Sequence, residues 1–394
     1  MTATVSRPDT TPDLRDRVAA VLPVIRDEAA KIDEQAVFPT GGLAALRDSG
    51  LMGLLVPAEY GGLGGDLDDL VEVAVALAGE CMSTAMIWAM HGQQVAALVA
   101  HGTERLRAEL LPRIARGEVY VASVTSEKGK GGHLLTAHAP LHRRDGALHL
   151  DRDAPIVTGG EHADGFLITV RDAPDAPPDA VSAVYADRSQ LEVGTSGSWN
   201  PLGMRGTHSG ALHLSGRVPD HHLVGSPGQF RTVAVRTFAP AGHVAWAACW
   251  LGAARGALRD VLGLLRSPAG RRQFDLGSEL LRARLARVRM DLDTMSALLA
   301  QCLRDLAGDA DPEAVPVQLR LNALKVFTAE RSFASVDLLV ELTGLRHGYL
   351  RDAPLALERR FRDLRSASLN YANDRLLSAN GTLALLDRGV SLAW

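Results

Sequence analysis

Two short segments of the sequence carry side chains that could bind a ligand. Arg271 and Arg272 precede Gln273 and Phe274. A guanidinium presents a planar fork of donors that matches phosphate oxygens, so this segment is expected to bind a phosphate group, with a solvated basic turn as the alternative. The second segment, residues 123–132, combines hydroxyl side chains with glycines. Its backbone amides could come close to a ligand, but the same composition is typical of a plain turn.

The apolar patterns at both ends of the chain predict helices, which would hold these two segments in place. Residues 66–100 form one long stretch rich in Ala, Val and Leu, which the glycine-rich breaker at 56–65 separates from an earlier helical segment. Beyond Phe230, apolar residues recur at i, i+3 and i+4 intervals. They mark four helical segments, at 251–265, 277–306, 312–345 and 364–387. Four long helices with short connections predict an up-and-down bundle.

The middle of the chain has a different pattern. Short β-type runs are separated by Gly, Pro and Asp clusters, and they lie at 121–125, 147–150, 166–170 and 211–214. Residues 171–180 hold three prolines and three aspartates, which predicts an exposed loop. The sequence therefore predicts an α+β fold with three domains: an N-terminal helical domain (1–118), a central β-barrel or sandwich domain (119–228) and a C-terminal four-helix bundle (229–394).

Composition narrows the class of protein. A formal net charge of −4 over 394 residues argues against a nucleic-acid binder. No apolar run approaches the ~20 residues that cross a bilayer, and the N-terminus lacks the apolar core of a signal peptide, so a cytoplasmic protein without a membrane partner is expected. Cys81, Cys249 and Cys302 form no CxxC pair and lie among apolar residues. They are predicted to be buried thiols, and no metal site is predicted.

Three motifs resemble those of the acyl-CoA dehydrogenase superfamily, and the resemblance covers nearly the whole chain. Residues 51–64 are similar to its N-terminal signature, 202–209 (LGMRGTHS) to its second β-domain signature, and 360–363 (RFRD) to its RxxRD anchor. The resemblance implies FAD bound between the β domain and the bundle. The RRQF run at 271–274 resembles the segment whose arginine binds the FAD diphosphate of a neighbouring subunit, which implies a homodimer or homotetramer.

The same resemblance implies the flavin contacts. They are Thr125, Ser126, Thr158, Arg271, Gln273, Phe274 and Gly344. Thr125 and Ser126 fall in the loop that meets the flavin pyrimidine ring, where donors stabilise negative charge on the reduced flavin. Thr158 keeps the hydroxyl expected to reach flavin N5, although a β-branched strand residue is an equally good interpretation. The family pattern is altered at Lys128, at Gly132-His133 and at Ile156, where tryptophan is usual.

The resemblance breaks at the catalytic base. A dehydrogenase of this family needs a carboxylate to take the substrate α-proton while a hydride leaves to the flavin. Counting from Arg362-Asp363 places Tyr371 at the common glutamate position. Counting back from Gly252 places Gly242 at the alternative position. Neither position has an acid.

Three hypotheses about the reaction remain open, and the first is oxidation of an acyl thioester with another base. The candidates are His243 and Asp374, which lie beside the two positions. A histidine with a pKa of ~6.5 can accept a proton, although a lone histidine at a helix start is usually a cap. Tyr371, with a pKa of ~10, is a poor base and would hydrogen-bond or fill space. The substrate would be an acyl-CoA or a carrier-protein thioester of a specialised biosynthetic pathway, and an electron-transfer protein would be a partner.

The second hypothesis is a flavin monooxygenase on the same fold, which takes reduced flavin from a flavin reductase and needs no carboxylate here. His91 and Gln94, on a helix that faces the flavin in such folds, could then assist. A histidine near this position also occurs in dehydrogenases. The third hypothesis is a non-catalytic flavoprotein. The retained LGMRGT signature favours the first of the three.

Overall fold

The computed structural model describes residues 11–130, 132–308 and 310–392. Its N-terminal part holds five α-helices, α1 (Thr11–Gln35), α2 (Thr40–Asp48), α3 (Leu67–Glu80), α4 (Met82–His101) and α5 (Glu104–Ala115). The stretch at 66–100 is thus two helices. Asp66 and Asp69 form a capping box at the start of α3. Cys81 has an extended backbone and separates α3 from α4. Periodicity could not locate this break, because Cys81 is apolar and buried like its neighbours.

Eight strands follow in two separate four-stranded sheets, which are not closed into a barrel. The strands are β1 (Val121–Val124), β2 (His142–Arg144), β3 (Ala147–Ala154), β4 (Gly165–Arg171), β5 (Val181–Asp187), β6 (Leu191–Ser196), β7 (Ala211–Pro219) and β8 (Leu223–Val224). The first sheet has the order β1-β4-β5-β8 and the second β2-β3-β7-β6. Only β1 and β4 pair in parallel among these strands. Of the loop predicted at 171–180, Arg171 is the last residue of β4, and residues 172–180 connect β4 to β5.

The C-terminal part is helical. It contains α6 (Phe230–Val233), α7 (Ala239–Arg266), α8 (Pro268–Gln273), α9 (Glu279–Ala307), α10 (Val315–Gly344), α11 (Leu357–Leu364) and α12 (Asn373–Leu386), with π-helical turns at Ala234–Phe238 and Leu345–Tyr349. The predicted helix at 364–387 is wrong in its first part, because residues 365–372 form turns. The Lys325 ammonium on α10 binds the carbonyls of Ala367 and Tyr371 at 3.1 and 3.0 Å, which keeps them from continuing a helix.

One junction connects the three parts of the chain. It is the 202–209 segment, in which Met204 and His208 both have left-handed backbone conformations. The Met204 amide donates to the Asp363 carboxylate at 2.5 Å, and the Arg205 guanidinium donates to the Asp33 carbonyl at 2.6 Å. Arg362 in turn forms a two-pronged ion pair with Asp33. The predicted domain borders near 118 and 228 fall in the connections between α5 and β1 and between β8 and α6.

None of the helices in the described ranges has an apolar stretch long enough to cross a membrane.

Candidate functional site

The loop after β1 is fixed to the end of β3 by Ser126. Its hydroxyl donates to the Ile156 carbonyl at 2.6 Å and accepts from the Ile156 amide at 3.2 Å. The buried Arg152 donates to the Ser126 carbonyl at 2.7 Å. The structure therefore brings Ser126 and Ile156 together, and 56% of Ile156 is exposed. The Ser126 hydroxyl proton is already donated to the Ile156 carbonyl. Ser126 would therefore contact a flavin through its backbone or through a lone pair of the hydroxyl oxygen.

Thr158 begins a chain of hydroxyl groups. Thr207 Oγ1 donates to the Met204 carbonyl at 2.9 Å, so Ser209 Oγ donates to Thr207 at 2.9 Å. Thr158 Oγ1 lies 3.1 Å from Ser209 Oγ and must therefore donate to it, since each hydroxyl has one proton. In this arrangement Thr158 presents only lone pairs to a ligand.

The two candidate histidines have different surroundings. The His91 ring accepts from the Val121 amide at Nδ1, at 3.0 Å, and therefore donates from Nε2 to the Met52 carbonyl at 2.9 Å. Both nitrogens thus have backbone partners. His243, on α7, is 6% exposed; one nitrogen binds the Leu321 carbonyl and Nδ1 has no partner. Burial lowers the pKa of each imidazole to about 4, with the nearby Lys325 cation contributing at His243.

The two other candidate bases lie where α12 begins. Tyr371 is half-buried with a backbone φ of +50°, and burial raises the pKa of its phenol. Asp374, in the first turn of α12, is exposed. The turn between them is held by Lys325, whose ammonium also binds Asn373 Oδ1 at 2.7 Å. Burial lowers the pKa of Lys325 to about 8.

Gln93 was not predicted from the sequence. Its side-chain amide donates to the Phe238 carbonyl at 2.8 Å and fills the space beside Gly242, where an added Cβ atom would overlap the Gln93 amide nitrogen. The only sequence signal is a polar pair, Gln93-Gln94, within an apolar helix. Gln94 Oε1 and Trp246 Nε1, also buried on α4 and α7, have no hydrogen-bond partner.

The RRQF segment lies on the bundle surface. Arg271 and Gln273 are exposed, and His347 Nε2 donates to Gln273 Oε1 at 2.9 Å. The Phe274 ring lies 6.0 Å from the His347 ring. Gly344 begins the same loop with a φ of +67° and open space around it. The structure thus joins Gln273 and Phe274 to the loop after α10, next to large exposed apolar side chains, Leu345 (72%) and Tyr349 (66%).

These residues fit a flavin. Ile156 offers an exposed apolar face for a ring, and the adjacent Thr158 offers lone pairs for a ring N–H. Buried polar atoms without partners, Gln94 Oε1, Trp246 Nε1 and His243 Nδ1, lie on the helices α4 and α7. The exposed Arg271 could bind phosphate oxygens.

The chain is similar to acyl-CoA dehydrogenases in its N-terminal and C-terminal parts. Family models for the N-terminal and C-terminal domains of acyl-CoA dehydrogenases match residues 9–118 and 244–375. A short-chain-specific acyl-CoA dehydrogenase of Clostridium acetobutylicum is 26% identical over 86% of this chain and 88% of its own length. Dibenzothiophene monooxygenase of Rhodococcus qingshengii is 27% identical over 59% of this chain and 57% of its own.

Among solved structures, FMN-bound TdsC from Paenibacillus sp. A11-2 superposes with a TM-score of 0.84 at 22% identity, covering 96% of this chain and 98% of TdsC. That similarity concerns the fold. The chain belongs to the acyl-CoA dehydrogenase family and is a flavin-dependent oxidoreductase.

Proposed function

We propose that this chain is a flavin monooxygenase, which uses reduced flavin and oxygen and takes no α-proton from a thioester. One observation supports the proposal most strongly. The two positions that the family resemblance assigns to the dehydrogenase carboxylate hold other groups here: the Gln93 amide fills the space beside Gly242, and the common position falls on Tyr371. Neither an amide nor a phenol with a raised pKa accepts a proton at neutral pH.

The remaining candidate bases support the same proposal. Protonation of His243 would place an imidazolium near the buried Lys325 ammonium, and desolvation opposes that charge. Asp374 is exposed, whereas a base must act in a site from which water is excluded. The His91 nitrogens are both engaged by backbone groups, which gives this residue a structural role between α4 and β1.

Thr158 would suit the reduced cofactor. A reduced flavin carries a proton on N5, whereas an oxidised flavin has a lone pair there. Since the Thr158 hydroxyl proton is directed to Ser209, its oxygen is ready to accept from an N–H group. When bound, the flavin supplies the electrons for oxygen activation. The protein would orient the ring with Thr158 and the backbone of Thr125 and Ser126 and would exclude water from it.

We further propose that the cofactor is FAD shared between two subunits. Arg271 of one subunit would bind the diphosphate, with Gln273, Phe274 and Gly344 shaping the same surface. The exposed Leu345 and Tyr349 nearby would then be covered by the second subunit, which favours a homodimer or a homotetramer.

A second candidate function is oxidation of an acyl thioester, carried by CoA or by a carrier protein. The unpartnered, uncharged Nδ1 of His243 is the observation that favours it, because this atom is a buried proton acceptor. An electron-transfer protein would then accept the electrons, whereas the monooxygenase would need a flavin reductase.

Anaerobic mixing distinguishes the two functions. Flavin-loaded protein is mixed with a panel of acyl-CoA and acyl-carrier-protein thioesters, and the visible flavin absorbance is followed. The monooxygenase stays oxidised with every thioester, and its reduced form consumes oxygen at a rate that differs from free reduced flavin and changes in Thr158→Val. Bleaching by a thioester, lost in His243→Gln, would establish the dehydrogenase instead. A chain that binds no flavin after reconstitution would contradict both functions and leave a non-catalytic protein.

A further inference from the structure

Two imidazoles and a carboxylate meet at the surface where the N-terminal helices contact the strands. His162 Nε2 and His208 Nδ1 lie 3.4 Å apart. A carboxylate oxygen of Glu161 lies within 4.8 Å of a ring nitrogen of each histidine. None of the three residues has a part in the function proposed above.

The protein fixes both rings in advance. His208 Nε2 lies 2.6 Å from the Ala36 carbonyl, which can only accept, so Nε2 carries the ring proton and the Nδ1 lone pair faces His162. The His162 ring stacks on Phe38, with centroids 4.0 Å apart and planes at 16°. A histidine whose second nitrogen donates to a backbone carbonyl is the usual arrangement of a metal ligand.

The spacing also fits a metal. Two nitrogens bonded to one tetrahedral Zn²⁺ at ~2.0–2.1 Å lie about 3.3–3.4 Å apart, which matches the 3.4 Å between His162 Nε2 and His208 Nδ1. We infer that Glu161, His162 and His208 form a binding site for a divalent transition metal such as Zn²⁺, with the fourth position open to solvent. The ligands are separated by 46 positions in the sequence (His162 to His208), which is why no spacing motif predicts the site.

A second cluster, formed by Glu109, His221 and His222, serves as the matched control. Its carboxylate already accepts from Arg105 at 2.8 Å and from His221 at 3.0 Å. A guanidinium bound to the carboxylate supplies the positive charge that a metal would bring, so this cluster is an ion-paired surface group.

Metal binding would tie the strand segments to residues 36–38. A ligand that binds only the folded state raises the free energy of unfolding. Zn²⁺ should therefore raise the melting temperature, independently of any flavin reaction.

The test is a calorimetric titration of Zn²⁺ into flavin-loaded protein, paired with thermal unfolding. One Zn²⁺ binds per chain, and His162→Ala and His208→Asn each weaken binding at least about tenfold. Asparagine is chosen at His208 because it tolerates the left-handed backbone there, and Glu161→Gln gives a third variant that leaves both rings in place. His221→Ala retains the affinity and the Tm increase. Equal binding by wild type and His162→Ala, loss of binding in His221→Ala, or no binding by the wild type would overturn the inference.

Discussion

The ammonium of Lys325 lies 3.0 Å from the carbonyl oxygen of Tyr371, the residue that the family resemblance assigns to the position of the catalytic glutamate. Lys325 is fully buried and lies 5.4 Å from the centroid of a Trp250 ring. The cation thereby holds the 365–372 turn in the shape that places Tyr371 beside the bundle.

Replacing Lys325 tests that relationship. Lys325→Met keeps the apolar stem and removes three hydrogen bonds, to Ala367, Tyr371 and Asn373. Leaving buried acceptors without a donor should lower the free energy of unfolding by about 3 kcal/mol. Urea denaturation measures the change, and the exposed Lys31→Met should stay within about 0.5 kcal/mol of wild type. Equal losses in the two variants would contradict a structural role for Lys325.

His91 should make the free energy of unfolding depend on pH between about 4 and 6.5. Its pKa is about 4 in the folded state and 6.5 in the unfolded state. The unfolded state therefore binds more protons between these values, and the free energy of unfolding falls as the pH drops from 6.5 to 4, by about 3 kcal/mol from this residue. His91→Gln, which can still accept from one backbone group and donate to another, should make the pH curve less steep in this interval, with His243, whose pKa is also about 4, contributing to the remaining slope. Parallel curves for the two proteins would refute the assignment.

The Gln93–Gly242 contact predicts that substitutions at these two residues have non-additive effects on the free energy of unfolding. Gly242→Ala should destabilise the fold by about 1–3 kcal/mol, because the added methyl overlaps the Gln93 amide. Gln93→Ala removes the obstacle, so the double variant should cost less than the sum of the two. Gly263→Ala, on the same helix with open space around it, should instead stabilise by up to about 1 kcal/mol. A strictly additive cycle in urea denaturation would show that the two residues are not in contact.

The Arg362–Asp33 ion pair predicts that lysine cannot replace arginine. Arg362 binds Asp33 through two nitrogens and Glu358 through Nε at 2.7 Å. Arg362→Lys keeps the charge but loses the forked geometry, with an expected loss of about 2 kcal/mol. The exposed Arg231→Lys is the control. An unchanged Tm for Arg362→Lys would show that charge alone is sufficient.

Arg271 should distinguish FAD from FMN. If its guanidinium binds a diphosphate, Arg271→Ala should weaken FAD binding about tenfold or more, since hydrogen bonds to a charged group contribute about 1.5–3 kcal/mol. FMN binding should change little. The neighbouring Arg272→Ala is the matched control, and fluorescence titration of the flavin-free protein gives both affinities. Equal weakening for both flavins in Arg271→Ala would contradict the diphosphate assignment.

The sequence predicts elements whose signals are local. Helical periodicity and glycine breakers placed the helices and the β region, and the loop at 171–180 was found from its prolines and aspartates. The turn at 365–372 was missed because its cause, Lys325, lies 42 residues from Ala367 and 46 from Tyr371. The Gln93–Gly242 contact joins two helices and exists only after folding. Both therefore depend on tertiary contacts that no local pattern records.

The junction at 202–209 has a consequence for the order of synthesis. Arg205 and His208 each bind a carbonyl 172 residues earlier, and the Met204 amide binds a carboxylate 159 residues later. A nascent chain therefore cannot complete this segment until Asp363 has left the ribosome. During translation the Met204–Asp363 hydrogen bond is therefore the last of these three contacts to form, after residue 363 has been synthesised.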